Sequence, residues 1–130
     1  MSLSAKKILL VEDHADTLEI VQLQLRSLGF RNLLTAKSAY EALRIAEAER
    51  PDLILMDIVL AGMSGLEATR KLKANPNTSQ ILVLAITARA MPGDRELCLQ
   101  SGCDGYLAKP VSSRQLKKAI EEIFSPRPAK

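Results

Sequence analysis

Four places along the chain hold side chains able to do chemistry together, and each follows a short apolar run. Glu12 and Asp13 follow residues 8–11, Asp57 follows 53–56, Thr87 and Ala88 follow 81–86, and Lys109 and Pro110 follow 105–108. Three carboxylates brought together cannot all stay ionised without compensation. A hard divalent cation supplies it, and Mg2+ suits a site with few carboxylates and room for waters and phosphate oxygens. An ammonium and a hydroxyl across the same cavity complete a set suited to phosphoryl transfer. With no suitably placed Cys, Ser or His, the nucleophile is a carboxylate and its product an acyl phosphate.

These residues meet only if the apolar runs are neighbouring strands. Five runs recur, at 8–11, 32–36, 53–56, 81–86 and 105–108. Runs without polar alternation are the mark of parallel strands buried on both faces. Segments with helical period lie between them. Leu18, Val21, Leu25 and Leu28 share one face, with Gly29 as a stop. Ala39, Ala42, Leu43 and Ala46 form a second stripe. A third segment runs from Ser64 to about Ala74, and a fourth from about Pro92 to Ser101, stopped by Gly102. The last carries Leu116, Ala119, Ile120 and Ile123. Ser38-x-x-Glu41, Ser64-x-x-Glu67 and Ser112-x-x-Gln115 have capping-box spacing, so three helices are expected to start there. Strand and helix alternating five times predict an α/β fold with a doubly wound open parallel sheet. In such sheets ligands gather at the carboxyl ends of the strands, where the residues above stand.

Composition narrows the function further. A chain of 130 residues makes one domain that needs no disulfide or metal to fold. Cys98 and Cys103 are expected to be small core thiols. No apolar run approaches the ~18 residues needed to cross a bilayer, and the start lacks the order of a signal peptide, so membrane insertion is not expected and a cytoplasmic location is. Residues 1–65 carry 7 basic and 9 acidic side chains, residues 66–130 carry 11 and 6. The bases are scattered, and the only aromatics are Phe30, Tyr40, Tyr106 and Phe124. That offers no stacking platform, so no direct nucleic-acid binding is expected. His14, the single histidine, reads as a helix-start residue facing water.

The pattern resembles the receiver domain of two-component response regulators, of the kind found in hybrid sensor kinases or as single-domain proteins. The residues that carry the resemblance are Ile8-Leu9-Leu10-Val11-Glu12-Asp13, Asp52-Leu53-Ile54-Leu55-Met56-Asp57, Gly62-Met63-Ser64-Gly65-Leu66-Glu67, Ala85-Ile86-Thr87-Ala88 and Gly105-Tyr106-Leu107-Ala108-Lys109-Pro110. It covers residues 6–124, leaving 1–5 as an N-terminal tail and 125–130 as a tail or the start of a linker. The stretch from Thr87 to Arg95 is most similar to receivers attached to hybrid kinases.

The resemblance implies a flavodoxin-like (βα)5 fold with sheet order 2-1-3-4-5. It implies that Asp57 accepts a phosphoryl group from a phosphohistidine of a sensor kinase or histidine phosphotransfer protein. Asp13, Asp57 and the Val59 carbonyl would bind Mg2+ directly, with Glu12 acting through water. Lys109 would pair with Asp57 and then with the phosphoryl group. Thr87 and the Ala88 amide would follow that group, and Tyr106 would turn inward when Thr87 moves. The Lys109–Pro110 peptide would be cis. Such a domain catalyses its own phosphorylation and slow dephosphorylation, signals to a downstream effector or an attached domain, and in some cases forms a homodimer. The alternative is a non-phosphorylated pseudo-receiver that only docks proteins. Receivers of this type often carry Pro at position 61 and Asp at position 64, where this chain has Ala61 and Ser64. Losing the Pro is expected to loosen the loop after Asp57.

Two other uses of an α/β sheet are excluded by the residues. A nicotinamide-binding domain needs Gly-x-Gly-x-x-Gly after its first strand, where Glu12-Asp13-His14 stands. A haloacid-dehalogenase-type phosphatase wants a second Asp two residues after its nucleophile, where this chain has Val59.

Overall fold

The structure is a computed structural model and describes residues 3–88 and 91–125. Arg89, Ala90 and the tail residues 1–2 and 126–130 lie outside the described residues, so the reading of the tails and of the full stretch from Thr87 to Arg95 is not tested there.

The five apolar runs form β1 (Lys7–Val11), β2 (Asn32–Ala36), β3 (Leu53–Asp57), β4 (Leu82–Thr87) and β5 (Gly105–Ala108). The periodic segments form α1 (Ala15–Ser27), α2 (Ala39–Glu49), α3 (Gly65–Ala74), α4 (Asp94–Gln100) and α5 (Ser113–Phe124). A short 3-10 turn, Leu3–Ala5, precedes β1. The strands are all parallel and lie in the order β2-β1-β3-β4-β5, the flavodoxin-like arrangement expected.

Successive side chains of a strand point to opposite faces, and here both faces are apolar. Leu9, Val11, Ile54, Met56, Val83 and Ala85 pack under Ala39, Ala42 and Ala46 of α2, Ala68 and Leu72 of α3, and Cys98 of α4. Ile8, Leu10, Leu53, Leu55, Leu84 and Ile86 pack on the other side under Leu18 and Leu25 of α1 and Leu116, Ile120 and Ile123 of α5. The uninterrupted apolar runs are therefore two cores read alternately from one strand. Both cysteines are free and buried within the first core.

The boundaries differ from expectation in three ways. Asp57 and Thr87 are the last residues of β3 and β4 rather than the first residues after them, because Asp57 still pairs with Ile86 and Thr87 with Ala108. Helix α4 begins at Asp94, not at about Pro92: Gly93 adopts a left-handed conformation (φ 89°), which a helical residue does not. The Asp94 carboxylate also accepts from the Met91 amide at 2.9 Å, closing a turn ahead of the helix. Of the three serine caps, all accept from the backbone amide three residues on. Among the described residues only Ser112 and Gln115 make both halves of the box. The Glu41 carboxylate accepts instead from the Lys37 amide, one residue early, at 2.7 Å.

Candidate functional site

Register assembles the site. Val11 of β1 pairs with Met56 of β3, so Glu12 emerges beside Asp57 at the carboxyl edge of the sheet. Glu12 is held there by its own amide, which donates to the Ala36 carbonyl at 3.0 Å. On the other flank Thr87 pairs with Ala108, and the Lys109 amide donates to the Thr87 carbonyl at 2.8 Å, turning the lysine back over the sheet. The Lys109–Pro110 peptide is cis.

Glu12 and Asp57 are both buried, at 6% and 5% exposure. Leu10, Leu18, Leu55 and Ile86 line a cavity of about 20 Å3 together with Glu12, Asp57 and Lys109. The Lys109 ammonium contacts Glu12 Oε1 and stands 3.4 Å from Asp57 Oδ2. It bridges the two acids, making the expected ion pair with Asp57 and a second, closer one with Glu12. The other Asp57 oxygen accepts from the Val59 amide at 3.1 Å. Asp13 is tied to the same loop, since its Oδ2 accepts from the Ala61 amide at 3.1 Å.

Two carboxylates this close divide one proton unevenly. Burial pushes the Asp57 carboxyl up to about 6, the Glu12 carboxylate beside it adds to the rise, and Lys109 opposes it. Burial is the largest single influence on Glu12 and acts upward, but the hydrogen bonds with Lys109, Asp57 and His14 together outweigh it, and the net shift is downward. Glu12 is thus the standing anion and Asp57 the group that takes the proton.

Glu12, Asp13, His14 and Asp57 each offer one ligand atom, and these atoms lie within 4.8 Å of one another. Asp13 Oδ1 is buried and accepts no hydrogen bond. A buried carboxylate oxygen that accepts no hydrogen bond, set among three acids, fits a hard divalent cation such as Mg2+. His14 is the member that the sequence did not assign. Its side chain is three-quarters exposed as expected, yet Nδ1 lies 3.1 Å from both Glu12 Oε2 and Asp13 Oδ1. The hydrogen bond it donates to Glu12 and the charge of Asp13 raise its pKa. Its place directly after the acidic pair was the only sequence signal.

The remaining expected residues surround this cluster. Thr87 is buried at the end of β4, Ala88 follows it and is exposed, and Val59 is exposed on the loop after β3. Tyr106 is half-buried on β5, opposite Ala85.

A parallel five-stranded sheet with a cation-ready acidic cluster and a lysine at its carboxyl edge defines a receiver. The chain belongs to the family described as the response regulator receiver domain, which matches residues 8–121. It is 41% identical over 120 residues to the polar-differentiation response regulator DivK of Brucella anthropi, covering 92% of this chain and 94% of that protein. It is 40% identical, with a TM-score of 0.84, to the receiver domain of sensor histidine kinase PA1611 from Pseudomonas aeruginosa, covering 92% of this chain and 98% of that one. That crystal structure has a magnesium ion coordinated in the active-site cleft. Chemotaxis protein CheY4 of Vibrio cholerae is 25% identical with the same TM-score of 0.84, over 92% and 98% of the two chains. Membership makes this a two-component signalling domain, whose partners are kinases or phosphotransfer proteins. Among the described residues no helix is long and apolar enough to cross a membrane.

Proposed function

We propose that this receiver is a phosphorylation switch in which Asp57 accepts a phosphoryl group from a phosphohistidine on a sensor kinase or histidine phosphotransfer protein. An Asp57 oxygen forms the P–O bond as the P–N bond to the partner imidazole breaks; the imidazole keeps the electron pair and is reprotonated from solvent. The observation that carries this reading is the meeting of Glu12, Asp13 and Asp57 under one ammonium at the sheet edge.

Glu12, Asp13, Asp57 and the Val59 carbonyl are the groups to hold Mg2+, which when bound neutralises charge on the acids and on the phosphoryl oxygens. Glu12 holds Lys109 in reach of Asp57, so the ammonium is in place before the phosphoryl group arrives. Thr87 gives its hydroxyl, and Ala88 its amide, to a phosphoryl oxygen. Tyr106 then turns inward, and the face made by α4, β5 and α5 changes shape for a downstream effector or attached domain in the cytoplasm. The 1–5 and 125–130 segments flank this working domain of 6–124.

Incubating the protein with acetyl phosphate, with and without Mg2+, and mapping the modified residue by mass spectrometry tests the proposal. A Mg2+-dependent adduct on Asp57 that is absent in Asp57→Asn supports it. Labelling that persists in Asp57→Asn, or in excess chelator, overturns it.

A further inference from the structure

We propose that His14 makes the acidic cluster a site for nitrogen-seeking divalent cations of the Co2+, Ni2+ and Zn2+ class, in competition with Mg2+. The inference rests on the reading of Glu12, Asp13 and Asp57 as a cation site.

The position of the ring is the starting point. His14 is the residue before α1, yet its side chain makes no capping hydrogen bond to that helix. At 75% exposure no packing holds it either. The acids hold it instead: Nδ1 is hydrogen-bonded to Glu12 Oε2 at 3.1 Å and lies 3.1 Å from Asp13 Oδ1. Lys109 occupies the opposite side, at Glu12 Oε1 and Asp57 Oδ2, so the ammonium and the imidazole bracket the carboxylates without competing for the same oxygens.

Without a cation the His14 ring makes a hydrogen bond to Glu12 and a charge pair with Asp13, and the same spacing admits one ion in place of the ring proton. Two donors ~2.1 Å from a cation and at right angles to each other stand ~3.0 Å apart. His14 Nδ1 and Asp13 Oδ1 have this separation, and the oxygen is the buried one that accepts no hydrogen bond. An all-oxygen set suits Mg2+, Ca2+ and Mn2+, whereas an imidazole shifts preference towards Co2+, Ni2+ and Zn2+ along the Irving–Williams order. Mg2+ has little use for the nitrogen and leaves His14 a bystander. The two classes of cation therefore share the carboxylates and differ in their need for His14. As the only histidine of the chain, it is also the only imidazole that could supply that nitrogen.

The test uses the 130-residue chain without any added histidine tag. Mg2+, Ni2+ and Co2+ are titrated separately by calorimetry, with the visible spectrum of Co2+ as a second readout, in wild type, His14→Gln and Asp13→Asn. We expect His14→Gln to weaken Ni2+ and Co2+ at least ~10-fold and to shift the Co2+ spectrum, while Mg2+ changes less than ~3-fold. Asp13→Asn should weaken all three. Mg2+ binding that depends on Asp13, with Ni2+ and Co2+ indifferent to His14→Gln, overturns this inference and leaves the cation site standing. Mg2+ binding indifferent to Asp13→Asn overturns the cation-site reading itself.

Discussion

Gly65 packs against the main chain of Asp57 so closely that it has no room for a side chain. A Cβ on Gly65 would stand 2.2 Å from the Asp57 carbonyl oxygen and 2.9 Å from the Cα of Ile58. The Gly65 amide in turn donates to the Ile58 carbonyl at 3.0 Å. The start of α3 is thus seated directly on the strand end that carries Asp57, which ties the position of the acid to the position of a helix.

Gly65→Ala should therefore damage both fold and site. The obstacle is backbone, which cannot swing aside as a side chain would. We expect a loss of more than about 2 kcal/mol in chemical denaturation and slower labelling of Asp57 by acetyl phosphate. A variant as stable and as readily labelled as wild type would show that α3 can shift without moving Asp57.

Lys109→Ala should keep the fold and lose the chemistry. Removing the ammonium leaves Glu12 and Asp57 facing each other, and one of them takes a proton rather than stay as a buried unpaired charge. Because Lys109 lowers the Asp57 pKa, the variant should titrate Asp57 above the wild-type value of about 6, as read by carbon NMR of the carboxyl. Phosphorylation from acetyl phosphate at pH 7 should slow on the order of 100-fold, the usual cost of losing one positioned charge donor. An unmoved titration with an unchanged rate would remove Lys109 from the mechanism.

The main features of the site are legible because each reactive residue ends an apolar run, and parallel strands present their ends together. Glu12, Asp57 and Lys109 could be placed at one edge from that rule alone. How the lysine divides itself between two acids could not, since the Glu12–Lys109 contact spans 97 residues of sequence and depends on side-chain reach across β3 and β4. The direction of the His14 ring is hidden for a similar reason: the sequence places the residue beside the acids and leaves the torsion open. The loop after Asp57 is the instructive departure. Ala61 suggests a looser loop than proline would give, but its amide donates to Asp13 Oδ2 at 3.1 Å, a bond that proline cannot make. The expectation counted only the φ restraint that was lost and missed the donor that was gained.

Proton linkage gives a prediction with a definite sign. Asp57 titrates at about 6 in the folded protein against a reference value of 3.8, so between these values the folded state binds more protons than the unfolded one. Its contribution to stability is full below about pH 4 and is lost as pH rises through about 6. Glu12, lowered from 4.5, contributes with the opposite sign: its share is present above that value and is lost as pH falls through the folded pKa. Subtracting the melting curve of Asp57→Asn from that of wild type isolates the first effect. In chelator, the stability of wild type relative to Asp57→Asn should fall from pH 4 to pH 6.5. With Mg2+ added, the stabilisation by the cation should grow over the same range, because it binds the ionised carboxylate. A difference that is flat in both conditions would mean that Asp57 is ionised throughout.

The last prediction concerns how the switch reaches the surface. Charge added at Asp57 lies one register step from Thr87, because Asp57 pairs with Ile86. Thr87 borders a cavity of about 50 Å3 lined also by Ile58, Leu66, Asp94, Leu97 and Cys98, so there is room for it to shift under α4. Tyr106 is half-buried on the neighbouring strand β5, opposite Ala85. In the proposed switch, movement of Thr87 towards Asp57 would let the Tyr106 ring turn inward, giving the two discrete arrangements an allosteric mechanism requires. The face that would report the change carries Arg114, Lys117 and Lys118, exposed on α5, suited to a partner that presents acidic residues. Amide exchange and chemical shifts compared with and without a phosphoryl mimic should change at Thr87, along α4 and at Tyr106, and Thr87→Ala should uncouple Tyr106 from the mimic. Changes confined to residues 14–28 of α1 and its entry, with α4 and Tyr106 silent, would place the responsive surface on α1 instead.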